Sequence, residues 1–293
     1  DLNITLNAHA KINLSLRVVG KRPDGYHDIV SFMQGAGLHD VVTIKKCFGN
    51  GTKYKHTCCN INGVLVYLCT SSDTMPMDKT NLVFKGVEAF VNACKEGSLP
   101  EEISVEIDKR LPVAAGIAGG SVMLGLNALA GYPLPLRELM DAGAFVGADV
   151  PFSIFMNAHR NRGALGGLKG LEEAKDSAWT AGIGEKVEAA DPVPRAVILA
   201  NPGTGVSTKA AYEAMDSIGY SDKDESERSL FVNDMESYTL SEQAKAAGLK
   251  RMMQDKLSAD EVLMSGSGPT VFGIFDREEA AGEAADAIRA AGL

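Results

Sequence analysis

Apolar and polar residues alternate at the start of the chain. Ile4, Leu6, Ala8, Ala10, Ile12, Leu14, Leu16 and Val18 share one parity, which predicts a strand, with Lys11 and Asn13 on its opposite face. The run stops at KRPDGY (21–26), where proline fixes φ and glycine supplies a positive φ for a turn. Ile103, Val105 and Ile107 alternate with Ser104, Glu106 and Asp108 and predict a second strand. Helical spacing covers Asn81 to Ala93, Gly120 to Ala130, Leu136 to Phe145 and Glu278 to Ala291. A further helix over 208–217 has Ser207 as its cap, because a serine hydroxyl accepts from orphan N–H groups. Ala196–Ala200 reads as a buried strand, and Val262–Met264 and Thr270–Phe275 as two strands joined by SGSGP (265–269). Strand fragments are expected near 61–68. Residues 157–176 are rich in glycine and charge and fit a loop, an insertion or a domain boundary. SDKDESER (221–228) reads as a solvated acidic loop. Strands and helices interleave without a regular βα repeat, which predicts an α+β fold.

The length of 293 residues allows one large or two medium domains. A hydrophobic content of 45% with 23% charged residues is that of a soluble globular protein. The net charge of −9 argues against a nucleic-acid or anionic-membrane surface, which needs clustered lysine and arginine. One phosphorylated small molecule needs only a local pocket and remains open. The cysteines, Cys47, Cys58, Cys59, Cys69 and Cys94, are odd in number and form no C-x-x-C. They read as free thiols in a reducing cytoplasm. No apolar run reaches membrane-spanning length, and the N-terminus shows no basic region followed by an apolar one, so neither a membrane span nor a signal peptide is expected.

Chemistry concentrates in LPVAAGIAGGSVMLGLN (111–127), between the strand at 103–108 and a helix. Small residues there expose backbone N–H groups at the positive end of a helix dipole, a phosphate-binding device. It is neither G-x-x-x-x-G-K-[ST] nor G-x-G-x-x-G. Lys11 fits either a solvated lysine or a cation that steadies phosphate or alkoxide. Asp149, among apolar neighbours in GADVPF, fits a helix cap, an ion-pair member or a general base. Ser265-Gly266-Ser267-Gly268 fits a tight hairpin or a second backbone nest. Tyr26 and His27 follow the Pro-Asp-Gly turn, where a tyrosine offers a stacking face to a nucleobase.

The order of these signals along the chain resembles the GHMP kinase superfamily. AHAKINLSLRVVGKRPDGYHDI (8–29), LPVAAGIAGGS (111–121), GADVPF (147–152), NPG-x-x-V-S-T (201–208), ND-x-E (233–236) and MSGSGPTVF (264–272) carry the likeness. The resemblance implies a two-domain α+β fold: a ribosomal protein S5 domain 2-like N-terminal domain (1–156) and a ferredoxin-like C-terminal domain (157–293). It implies an ATP-dependent kinase acting on the 2-hydroxyl of a cytidine diphosphate sugar alcohol. Lys11 and Asp149 would be the catalytic pair. Pro112, Gly116, Gly119, Gly120 and Ser121 would hold the ATP phosphates, with Ser121 also toward Mg²⁺, and Asn81 and Leu82 would line the adenine pocket. Tyr26 and Tyr212 would sandwich the cytosine, His27 would read its edge, and Asn13, Ser265 and Gly266 would contact substrate. A monomer or weak homodimer is expected, with no nucleic acid or membrane as partner.

The chain departs from the pattern at several places. Val122 and Met123 stand where the family usually has serine and then Asn or Asp. Ala114, Ala115 and Ala118 replace glycines, and His9 replaces a proline. These departures keep two other readings open: a kinase for a different small alcohol, such as homoserine or mevalonate, and a silent binding protein on the same fold. The D-G-Y-H run and Tyr212 favour the cytidine compound, and Lys11 with Asp149 favours catalysis.

Overall fold

Two long strands open the chain, β1 (Asn3–Lys21) and β2 (His27–Lys45), paired with each other. The turn between them is closed by Arg22 N–H donating to the Tyr26 carbonyl at 2.7 Å, with Gly25 at φ +89°. This computed structural model describes residues 3–47, 54–95, 98–111, 118–221 and 228–291. The alternation in β1 identifies the strand, whose polar parity is exposed at Asn3, Thr5 and Asn7 and buried at Asn13 and Ser15. Asn13 and Ser15 are as buried as Leu14 and Leu16. The chain divides into two units that interleave in sequence. Unit 1 is Asp1–Lys11, Gly35–Ala178 and Glu185–Asp191; unit 2 is Ile12–Gln34, Trp179–Gly184 and Pro192–Leu293.

In unit 1, β3 (Lys55–Ile61) and β4 (Val64–Thr70) form a hairpin across Asn62-Gly63, both at positive φ. β4 runs parallel to β5 (Glu102–Asp108), and β5 runs antiparallel to the end of β2, with Val41 opposite Asp108. Among the described residues the helices of this unit are α1 (Leu82–Ala93), between β4 and β5, and then α2 (Ala118–Leu129), α3 (Leu136–Gly143) and α4 (Val150–Arg160). Phe84 and Phe90 of α1 and Phe152 and Phe155 of α4 are fully buried among them. α1 begins at Asn81, whose Oδ1 accepts from Val83 N–H. Residues 157–160 continue α4, and a single 3₁₀ turn occupies Leu171–Glu173. Val122 and Met123, the two departures after Ser121, are wholly buried. Their side chains lie 3.9 and 3.5 Å from where a Cβ on Gly86 of α1 would stand. They pack α2 against α1, so this core selects apolar residues there.

β6 (Ser177–Gly182) pairs with β2 and with β7 (Lys186–Ala190). Unit 2 holds a three-stranded antiparallel sheet in the order β8 (Ala196–Ala200), β10 (Val271–Phe275), β9 (Glu261–Met264). Its helices are α5 (Thr208–Ile218), α6 (Glu236–Glu242), α7 (Ala244–Asp255) and α8 (Glu278–Ala290). Ser207 caps α5 as its position predicts, accepting from Ala210 N–H. α6 and α7 escape a periodicity reading because α7 buries only Ala246, Leu249 and Met253, too thin a stripe to stand out. Glu236 ties α6 to its surroundings by accepting from Met264 N–H and pairing with Lys250. Among the described residues no helix is long and apolar enough to cross a membrane.

Candidate active site

Lys11 Nζ and an Asp149 carboxylate oxygen stand 2.8 Å apart in unit 1. A ladder of side-chain amides brings them together. Asn161 and Asn7 exchange two hydrogen bonds of 2.9 Å, and Asn157 Oδ1 accepts from His9 N–H at 2.9 Å. Two residues of strand advance about 6.6 Å and four of helix about 6 Å, so the two periods stay in step. Asn7 and His9 therefore march against Asn161 and Asn157, and the next step sets Lys11 level with position 153, one helical turn from Asp149, which its long side chain reaches. A proline at position 9 has no N–H to give to this ladder, so His9 supplies a bond the usual residue lacks. Asp149 occupies the cap position of α4 yet makes no side-chain cap bond. Its carboxylate is 53% exposed and committed to Lys11, whose side chain is 19% exposed. Of the readings open for Asp149, the ion pair is realised and the cap is not.

The start of α2 is the second part of unit 1's site. A Cβ on Gly120 would lie 2.6 Å from Ser153 Oγ and 3.0 Å from Ile154 N, so glycine is what lets α2 approach α4. A Cβ on Gly119 would stand 3.6 Å from Leu82 Cβ and from Val146 Cγ1, an ordinary contact, so Gly119 lies beside both without the crowding found at Gly120. Leu82 and Gly119, expected on adenine and phosphate respectively, are thus neighbours. Both ends of the Asn81 amide are engaged: Nδ2 donates to the Pro76 carbonyl at 2.7 Å while Oδ1 caps α1. Ser121 is fully buried, and its Oγ has no hydrogen-bond partner among the described residues. A buried hydroxyl without a partner is costly, and a bound oxyanion or cation at the first turn of α2 would satisfy it. Pro112 and Gly116 lie outside the described residues. The residues leading to them are held by buried Asp40, which accepts from Lys109 Nζ at 2.6 Å and from the N–H groups of Arg110 and Leu111 at 2.7 and 2.8 Å.

Unit 2 gathers the remaining expected residues into two clusters. Asn13 donates its N–H to Ser265 Oγ at 3.0 Å and its Nδ2 to Ser31 Oγ at 2.9 Å. Gly266, at φ +61°, would carry a Cβ 3.3 Å from Asn13 Oδ1, so both its backbone conformation and its neighbour disfavour a side chain. Asn233 Nδ2 fixes the turn by donating to the carbonyls of Met264 and Gly266 at 2.8 Å. In the second cluster the His27 ring stacks on Tyr212, with centroids 5.3 Å apart. Its Nε2 lies 2.7 Å from Asp216 Oδ1. Tyr26 is 61% exposed and has no ring contact among the described residues.

Sequence reasoning passed over Asn157, Asn161, Asp40 and Asp216. The four-residue spacing of the two asparagines was a readable signal, but only the fold shows what it meets. Replacing Asn157 with leucine removes the acceptor of His9 N–H and the donor to the Ser153 carbonyl. The expected cost is about 2–3 kcal/mol in chemical unfolding, with kcat reduced because Lys11 and Asp149 lose their register. Unchanged stability and kcat would show that the ladder does not set it.

Residues 81–157 match the family described as GHMP kinases N terminal domain, and residues 212–292 match GHMP kinases C terminal. The chain belongs to the GHMP kinase family, whose α+β fold it shares. Within that family, a 4-diphosphocytidyl-2-C-methyl-D-erythritol kinase of Geobacter sulfurreducens is 34% identical over 98% of this chain and 95% of its own length. One from Pelobacter propionicus is 35% identical over 99% of this chain and 96% of its own. A crystal structure of a 4-(cytidine 5'-diphospho)-2C-methyl-D-erythritol kinase has the same fold, with a TM-score of 0.69 at 23% identity over 98% of this chain and 96% of that one.

Proposed function

We propose that this protein transfers the terminal phosphoryl group of ATP to the 2-hydroxyl of 4-diphosphocytidyl-2-C-methyl-D-erythritol, a step of the non-mevalonate route to isoprenoid precursors. The observation that carries this reading is the Lys11–Asp149 pair at 2.8 Å, a cation and a carboxylate held together with the carboxylate open to a substrate. The names of the curated relatives support the choice of alcohol.

Asp149 accepts the proton of the 2-hydroxyl as its oxygen forms a bond to the γ-phosphorus. The bond from that phosphorus to the bridging oxygen breaks, and the electron pair leaves with ADP. Lys11 orients the hydroxyl and stabilises charge as it develops. Gly119, Gly120 and Ser121, with Pro112 and Gly116, hold the ATP phosphates at the N-terminus of α2, and Asn81 and Leu82 border the adenine. Tyr26, His27 and Tyr212 take the cytosine ring, and Asn13, Ser265 and Gly266 the remainder of the substrate. Ser121 also fits a magnesium ion that comes with ATP, since its buried Oγ lacks a partner among the described residues. No group of three or more His, Cys, Asp or Glu suited to a metal occurs among the described residues. When bound, Mg²⁺ neutralises phosphate charge during transfer.

A coupled assay of ADP release tests the reading. Release should depend on the cytidine substrate and should not be reproduced by homoserine or mevalonate. Equal release with and without the cytidine compound would overturn it.

A further inference from the structure

The environment of His27 leaves it one free polar edge. Tyr212 stacks on the imidazole, tilted 22° from it, and Tyr220 approaches at 6.1 Å. Nε2 meets Asp216 Oδ1, while Nδ1 has no hydrogen-bond partner among the described residues. Asp216 also accepts from Lys21 Nζ through Oδ2, at 2.5 Å, and from the Tyr220 hydroxyl through Oδ1, at 2.7 Å. These donors, Lys21 first, then Tyr220 and His27, hold the Asp216 carboxyl far below the usual carboxylate range. It is an ionised group that can only accept.

A histidine nitrogen facing such an acceptor carries the hydrogen. In the neutral imidazole the other nitrogen is then a bare acceptor. We propose that Asp216, braced by Lys21 and Tyr220, is a positioning residue that fixes His27 as the Nε2–H tautomer, so that Nδ1 selects a pyrimidine bearing a 4-amino group over one bearing a 4-oxo group. The inference rests on the reading above in which His27 faces the edge of the base. A cytosine amino group donates to Nδ1. A uracil carbonyl in its place sets two lone pairs against each other, and a site built to accept a hydrogen bond rejects the ligand that lacks the donor.

Asp216→Asn supplies the test. Lys21 can only donate and so retains the amide oxygen, which turns the amide NH₂ toward His27 Nε2. Nε2 then accepts, the hydrogen moves to Nδ1, and the edge becomes a donor. The experiment measures kcat and KM for the cytidine substrate and its uridine counterpart, made by deamination of the cytosine. It also records ¹⁵N spectra of protein labelled at histidine, with His27 assigned by its loss in His27→Gln.

The wild type should prefer the cytidine compound by roughly 100-fold in kcat/KM. In Asp216→Asn the KM for the cytidine compound should rise about 10-fold with kcat within about 3-fold, and the preference should shrink to less than about 10-fold. The nitrogen spectrum should change from the Nε2–H to the Nδ1–H tautomer. A residue needed only for folding would alter neither the ratio of the two substrates nor the tautomer. An unchanged ratio in the variant, or an Nδ1–H tautomer already present in the wild type, overturns the inference; the second result needs no variant. Absence of turnover of the cytidine compound by the wild type strikes at the proposed function, and this inference falls with it. Turnover with an unchanged ratio strikes at this inference alone.

Discussion

Asp149→Asn should lower kcat for the cytidine substrate at least about 100-fold, the scale of losing a general base. Asparagine has nearly the same shape but cannot take a proton from the 2-hydroxyl. Stability should barely change. Asp149 makes no side-chain cap bond to α4, so no cap is lost. Its pair with Lys11 is half-exposed on the carboxylate side, where such pairs contribute at most about 1 kcal/mol. Activity and stability are thus expected to separate. The measurement is substrate-dependent ADP release beside a thermal melt of the same preparation. A variant that melts like wild type and turns over within a few-fold of it would remove Asp149 from the chemistry.

Asp40→Ala should act in the opposite sense, on stability first. Asp40 is 1% exposed and receives three donors: Lys109 Nζ and the backbone N–H groups of Arg110 and Leu111. Alanine strips Lys109 of this carboxylate and leaves two backbone donors without it. Removing one member of a buried charged pair costs about 3–5 kcal/mol. The expected readout is a urea midpoint shifted strongly downward. A second readout is a raised KM for ATP, because residues 109–111 lead directly into the glycine loop. A midpoint within error of wild type would show that Asp40 is not the anchor of this segment.

Much of the fold was legible because local periods dominate it. The alternation along β1, the helical stripes of α1, α2, α3 and α8 and the serine cap of α5 each arise from neighbours in sequence. What escaped was set by distant packing. Alternation placed Asn13 opposite the apolar row of β1 but not its surroundings: Asn13 and Ser15 are interior, because partners remote in sequence satisfy them, Ser31 and Ser265 for Asn13 and Phe32 N–H for Ser15. α7 was missed because small residues on a narrow stripe bury little apolar area. Val122 and Met123 read as blemishes in a phosphate loop, whereas their side chains serve the contact with α1.

The candidate site follows the same division. The chain's motifs named Lys11, Asp149, Ser121 and His27, because chemistry depends on residue type and a motif preserves type and order. Motifs do not carry distance. That Asp149 spends its carboxylate on Lys11 and not on capping α4 is seen only once β1 lies along α4. That Ser121 is buried without a described partner, and that Gly120 lets α2 approach α4, are both seen only in the packed helices. That His27 has one nitrogen pinned follows from Asp216, Lys21 and Tyr220 converging on it. The sequence by itself determined the elements and the inventory of reactive groups, since both depend on residues close along the chain. Only the tertiary structure decided which groups meet and which donor or acceptor is left over, since hydrogen bonds and ion pairs act over a few ångströms that only folding can close.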